Sequence, residues 1–151
     1  MKIRRGSLSD LASLLNIENI CFKDTEDNED VEELKLFLES GKYTTFIAVE
    51  KDTVIGYVTV EDTKKSKKLK KAYHVTSVAI IPEYRKRGIA GDLLDTCYSN
   101  MPLGYFMSCE IRSSNFSSQK LFEKHGFKKI KNLDNFYPDE MGYYYETEKK
   151  K

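Results

Sequence analysis

The chain has 151 residues, with 25 Lys plus Arg against 24 Asp plus Glu and a net charge of +1. That length suits one domain, residues 1–151, able to bury about two thirds of its unfolded surface, and the balanced charge argues against a surface that coats nucleic acid. Cys21, Cys97 and Cys109 lack CxxC spacing, so neither a metal site nor a disulfide framework is expected.

The opening Met-Lys-Ile-Arg-Arg has no apolar run, and no later stretch reaches membrane-spanning length. A cytoplasmic protein without a membrane partner is the expectation. Lys2 to Arg5 reads as a short strand, and Ser9 or Asp10 can cap a helix carrying Leu11, Leu14, Leu15 and Glu18. After the acidic stretch from Glu26 to Glu33, Val31 to Leu38 forms a second helix that stops near Gly41. Tyr43 to Val49 and Val54 to Glu61 alternate apolar and polar residues around Glu50-Lys-Asp-Thr53, the pattern of an antiparallel hairpin. Lys64 to Lys71 holds six lysines and reads as a solvated loop.

Val75 to Ile80 is rich in β-branched residues and too short for a buried helix, so it is a strand, ended by Pro82. Arg85-Lys86-Arg87 follow, beside Gly88 and Gly91. Apolar residues at helical spacing from Ile89 to Ser99 then mark an amphipathic helix. A strand, a basic glycine turn and a helix in that order cradle a pyrophosphate: small residues admit the backbone amides, and the helix adds its positive end. A Walker loop would need Lys-Ser/Thr after its second glycine, whereas Gly88 is followed by Ile-Ala; a dinucleotide fingerprint would need more glycines.

Beyond a turn at Met101-Pro-Leu-Gly104, Tyr105 to Ile111 is another strand. Alternation places Glu110 on the face of Phe106 and Ser108, opposite Met107, Cys109 and Ile111. Ser114 or Asn115 opens a helix that Gly126 closes. Phe127 to Ile130 and Tyr143 to Thr147 are the final strands, separated by a loop around Phe136-Tyr-Pro-Asp. The order indicates a mixed α/β sheet. His74 reads as an ordinary solvated residue and His125 as the last turn of a helix, and neither enters the candidate site.

Arg85-x-x-Gly88-x-Ala90 resembles the Gln/Arg-x-x-Gly-x-Gly/Ala signature of the GNAT superfamily of N-acetyltransferases. Cys109-Glu-Ile-Arg-x-Ser-Asn115, followed by Leu121-Phe-x-Lys-x-Gly-Phe127, is similar to the corresponding block of its RimI-like Nα-acetyltransferase branch. Ile3-Arg4 and Ile17-Glu18-Asn19-x-Cys-Phe22 are similar to that branch's opening.

The resemblance implies a GNAT fold: a mixed, mostly antiparallel sheet flanked by helices, with the strands at Val75 and Tyr105 splayed to hold the CoA arm. It implies that Val78, Ala79 and Ile80 offer backbone groups to the pantetheine. Arg85, Lys86, Arg87, Gly88, Ile89, Ala90 and Gly91 would meet the pyrophosphate, with Asn115 and Phe122 near the arm. Acetyl-CoA is then the co-substrate, with no metal, and the acceptor is an amine: a peptide N-terminus, which the branch favours, or a small amine.

Glu110 matches the branch's general base. Phe122 stands where the branch usually carries the Tyr that acts as general acid, and a phenyl ring cannot give a proton. Tyr137 is the candidate substitute and, with Phe22, would line the acceptor groove. Neutralising an α-amine at pH 7 costs about 1.4 kcal/mol and a lysine about 4.6, so an N-terminal acceptor asks less of the base. The alternatives are a small amine, polyamine or lysine side chain as acceptor, or a CoA-binding module without transfer activity. The oligomeric state stays open.

Overall fold

The computed structural model describes residues 1–151. In chain order it contains β1 (Lys2–Arg5), α1 (Leu11–Phe22), α2 (Val31–Glu39), β2 (Tyr43–Glu50), β3 (Thr53–Asp62), β4 (Ala72–Ile80), α3 (Ile89–Asn100), β5 (Phe106–Arg112), α4 (Phe116–Lys124), β6 (Lys128–Tyr137) and β7 (Glu140–Glu146). The strands form one seven-stranded sheet in the order β1-β2-β3-β4-β5-β7-β6. Every neighbouring pair is antiparallel except β4 and β5.

That exception positions the site. The parallel ladder holds for Ala72↔Phe106, Tyr73↔Met107 and His74↔Ser108 and then ends, although both strands continue. Two features part them. The β3–β4 register steps from Thr59↔Ser77 to Val60↔Val75, leaving Thr76 as an extra residue that bends β4. Beyond the ladder, β5 is paired on its other side by β7, from Ser108↔Glu146 to Arg112↔Gly142.

Apolar layers cover both faces. Leu93, Leu94 and Cys97 of α3 and Phe122 of α4 pack with Val58, Val60, Met107, Cys109 and Ile111. Leu14 and Ile17 of α1 and Leu34 and Phe37 of α2 pack with Ile47, Tyr57 and Ala79. No helix is long and apolar enough to cross a membrane.

Three local expectations change. Asp10 is the N-cap residue of α1, but its carboxylate turns away from that helix, accepting two bonds from Arg4, at 3.0 and 2.9 Å, and one from the Ser7 N–H at 2.9 Å. β4 begins at Ala72, three residues before the β-branched run, because the Phe106 N–H donates to Lys71 O and Thr63 brackets Ala72. β6 runs through Phe136 and Tyr137 to a tight turn, so these are strand residues and not a loop. Its exposed Lys128, Lys129 and Lys131 suit an edge strand and conceal its periodicity.

Candidate functional site

β4 ends in a short 3-10 turn, Pro82–Tyr84, and the chain then reverses into α3. Lys86 and Gly88 both take positive φ, 63° and 78°, so successive amides turn to one side. Gly88 is the N-cap of α3, and a Cβ there would meet nothing within 4 Å. The first amides of α3 have no intrahelical acceptor. They face a cavity of about 570 Å³ lined by Val78, Ala79, Ile80, Arg85, Lys86, Gly88, Ile89, Ala90, Gly91 and Asn115, and also by Cys21, Phe22, Ser118 and Leu121.

The three cations of the turn divide their work. Arg85 folds inward, its Nε donating to Ile80 O at 2.9 Å and a terminal nitrogen lying 3.6 Å from Cys21 Sγ. Arg87 lies off this cavity, over the Tyr84 ring at 5.1 Å and 3.9 Å from a Glu50 carboxylate oxygen. Lys86 lines the cavity, and no ion pair engages its ammonium. Gly91 answers a packing demand as well: a Cβ there would lie 2.4 Å from His125 Nε2, and His125 is fixed by Asp95 at 2.9 Å.

A second cavity, of about 540 Å³, opens where β4 and β5 separate. It shares Phe22, Val78, Asn115 and Ser118 with the first, so the two adjoin. Phe122 lines this second cavity, 3% exposed and edge-to-face with Phe127 at 4.9 Å. Asn115 caps α4, its Oδ1 accepting the Ser118 N–H at 3.1 Å.

Glu110 stands at the parting of the strands and does not stand alone. His74 Nε2 lies 2.8 Å from one Glu110 oxygen and 3.0 Å from the other, and its Nδ1 lies 2.6 Å from Ser108 Oγ. A carboxylate only accepts, so Nε2 carries a hydrogen; in the neutral ring Nδ1 then accepts from the Ser108 hydroxyl. Sequence reasoning missed His74 because it started β4 at Val75 and left the residue in the lysine loop. The available signal was strand alternation carried back across the bulge.

Ser108 is 2% exposed and Cys109 equally enclosed at 2%, with burial pushing the Cys109 thiol up, so neither offers a nucleophile.

Two walls complete the second cavity. One is the α1–α2 connection with Glu26, Asp27 and Glu29; the other is the β6–β7 tip with Phe136 and Tyr137. Arg112 joins them, contacting Asp27 at 3.2 Å and Asp139 at 2.8 Å while its guanidinium lies 4.2 Å from the Tyr137 ring centroid. Burial pushes the Tyr137 hydroxyl up to about 12, so it holds its proton at neutral pH.

A family model described as Acetyltransferase (GNAT) family matches residues 11–127. An N-alpha-acetyltransferase of Saccharolobus solfataricus is 34% identical over 103 residues, 62% of each chain, so the match spans less than two thirds of that relative. An N-alpha-acetyltransferase of Sulfurisphaera tokodaii is 28% identical over 148 residues, covering 91% of this chain and 86% of that one. Among solved structures, the ribosomal-protein-S18-alanine N-acetyltransferase of Escherichia coli superposes with a TM-score of 0.79 at 16% identity, covering 97% of this chain and 92% of that one. NAA60 of Arabidopsis thaliana in complex with acetyl-CoA gives 0.80 at 20% identity and 96% coverage of both chains. At these identities the structural matches speak for the fold.

Proposed function

The chain belongs to the GNAT acetyltransferase family, and from that premise we propose that it transfers acetyl from acetyl-CoA directly to a protein N-terminal α-amine. The observation that carries the reading is the His74–Glu110 pair, set where β4 and β5 part and between the two walls of the second cavity. The residues fit the co-substrate. Gly88 leaves open space beside unpaired helix amides, Lys86 supplies charge, and the adjoining cavities extend from that turn to Glu110.

In this reading Glu110, oriented by His74, takes a proton from the incoming ammonium, directly or through one water. The neutral nitrogen attacks the acetyl carbonyl carbon; the C–N bond forms as the C–S bond breaks, and the second amine proton leaves to the same pair or to solvent. Phe122 has no proton to give to the departing sulfur. Leaving as thiolate costs about 2 kcal/mol at pH 7 for a thiol of ordinary pKa. Tyr137, whose hydroxyl stays protonated, is the candidate donor near the acceptor end. The N-terminal preference draws support from the two relatives named N-alpha-acetyltransferase and from the smaller penalty for neutralising an α-amine.

The test is CoA release from acetyl-CoA in the presence of N-terminal peptides, with mass spectrometry locating the acetyl group. Release that depends on a free α-amine is expected. Tight CoA binding without release would favour a binding module, and modification only at lysine would move the acceptor to side chains.

A further inference from the structure

The acceptor groove carries more negative charge than proton transfer requires. Glu26, Asp27 and Glu29 of the α1–α2 connection and Glu33 of the first turn of α2 line one wall. No lysine lines this cavity, and its one arginine, Arg112, is already held by Asp27, Asp139 and Glu140. Glu26, Glu29 and Glu33 therefore face the groove without an ion pair.

Behind them lies Glu18, which is 0% exposed. Its Oε1 accepts the Glu29 N–H at 2.8 Å, while Oε2 has no well-placed donor, the nearby Tyr57 hydroxyl being engaged with Ser77 at 2.9 Å. An enclosed carboxyl oxygen with nothing to accept from is unfavourable, and more carboxyls beside it add repulsion. Burial, together with the neighbouring Glu33, pushes the Glu29 carboxyl up to about 8. Three carboxyls without an ion pair, with an unsatisfied fourth behind them, lack a cation. An ammonium or guanidinium from a ligand would give the wall a countercharge.

We propose that the acceptor carries a second cation close to its reacting amine, which docks on Glu29 and Glu33 in front of Glu18. This rests on the reading of the cavity as the acceptor groove. Two sources share the chemistry: a Lys or Arg side chain at the second or third residue of a peptide, and the second amine of a small polyamine. The wall also has a kinetic consequence. Its negative potential favours the protonated amine, so a docked second cation offsets that field and makes the first amine easier for Glu110 to deprotonate.

The experiment measures CoA release by the full chain with peptides that differ only at their second and third residues (Lys/Arg, Leu or Glu), and with 1,4-diaminobutane against butylamine. Peptides with Lys or Arg are expected to exceed those with Leu in kcat/KM by about tenfold and those with Glu by more, with the advantage shrinking as salt rises. In the Glu29→Gln/Glu33→Gln variant the ratio of the Lys/Arg peptide to the Leu peptide is expected to fall to about one or two. A strong preference for the diamine over butylamine, lost in the same variant, assigns the second cation to a small molecule and also supports the proposal. Equal rates for Lys/Arg, Leu and Glu peptides, with no diamine preference, overturn it, as does a preference that survives the double substitution. If no acceptor releases CoA, the acetyltransfer reading fails and takes this inference with it; indifferent release removes the inference alone.

Discussion

His74 and Glu110 meet across the only parallel strand pair of the sheet, Nε2 to carboxylate oxygen at 2.8 Å, where His74 is the last paired residue of β4 and Glu110 lies two residues past its ladder partner Ser108. β3 and the Thr76 bulge hold one partner while β7 holds the other, so the pair is built on rigid backbone at the mouth of the cavity. Glu110→Gln is expected to lower kcat by about two to four orders of magnitude. His74→Gln should cost less, and the double variant should be no slower than Glu110→Gln, because the two groups act as a unit. Steady-state kinetics on the four proteins checks this; additive losses would separate the residues.

The division of labour at the turn predicts unequal effects from neighbouring cations. Lys86→Ala is expected to raise the KM for acetyl-CoA by about tenfold with a smaller change in kcat, as for the loss of a uniform binding contact. Arg87→Ala, which gives up contacts with Tyr84 and Glu50 outside the cavity, should have the weaker effect. Titration calorimetry with CoA reads the same difference without turnover.

These contrasts show how far residue order alone reached. The strand, basic turn and helix from Val75 to Ser99 are legible because a short β-branched run and an apolar helical spacing meet at a basic turn with glycines. Glu110 was legible from alternation along β5. His74 was not, since its place depends on the ladder to Phe106–Ser108 and on the Thr76 bulge, both long-range. Nor was β6, whose pairing with β7 sustains a strand through exposed lysines. Gly91 was read for an anion, while its closest neighbour is the His125 ring, 34 residues away in sequence and beyond any local pattern.

Gly91 therefore gives a packing test. Gly91→Ala is expected to destabilise the protein by about 1–3 kcal/mol, since the new methyl group overlaps a ring held by Asp95. Adding His125→Ala should recover most of that loss. Thermal melting of the two variants and of His125→Ala closes the cycle.

Glu29 gives a pH test of the acidic wall. Burial, Glu33, Glu18 and Asp30 raise its folded pKa to about 8, well above an ordinary glutamate. The folded state therefore binds this proton more tightly than the unfolded chain does. The associated stability is fully present below the ordinary glutamate pKa and is lost as pH rises through about 8. Glu29→Gln is expected to flatten this dependence, melting higher than the parent at pH 9 and close to it at pH 5. Equal slopes from pH 5 to pH 9 would place the carboxyl in a more solvated setting.

Mass spectrometry of a free-N-terminal peptide incubated with acetyl-CoA, run beside the same peptide with a blocked N-terminus, bears most directly on acetyl transfer at the His74–Glu110 pair. One acetyl group on the α-nitrogen, an equal amount of released CoA, and loss of both in Glu110→Gln are the expected results. Undiminished transfer by Glu110→Gln, or bound CoA with no acetylated amine of any kind, would contradict it.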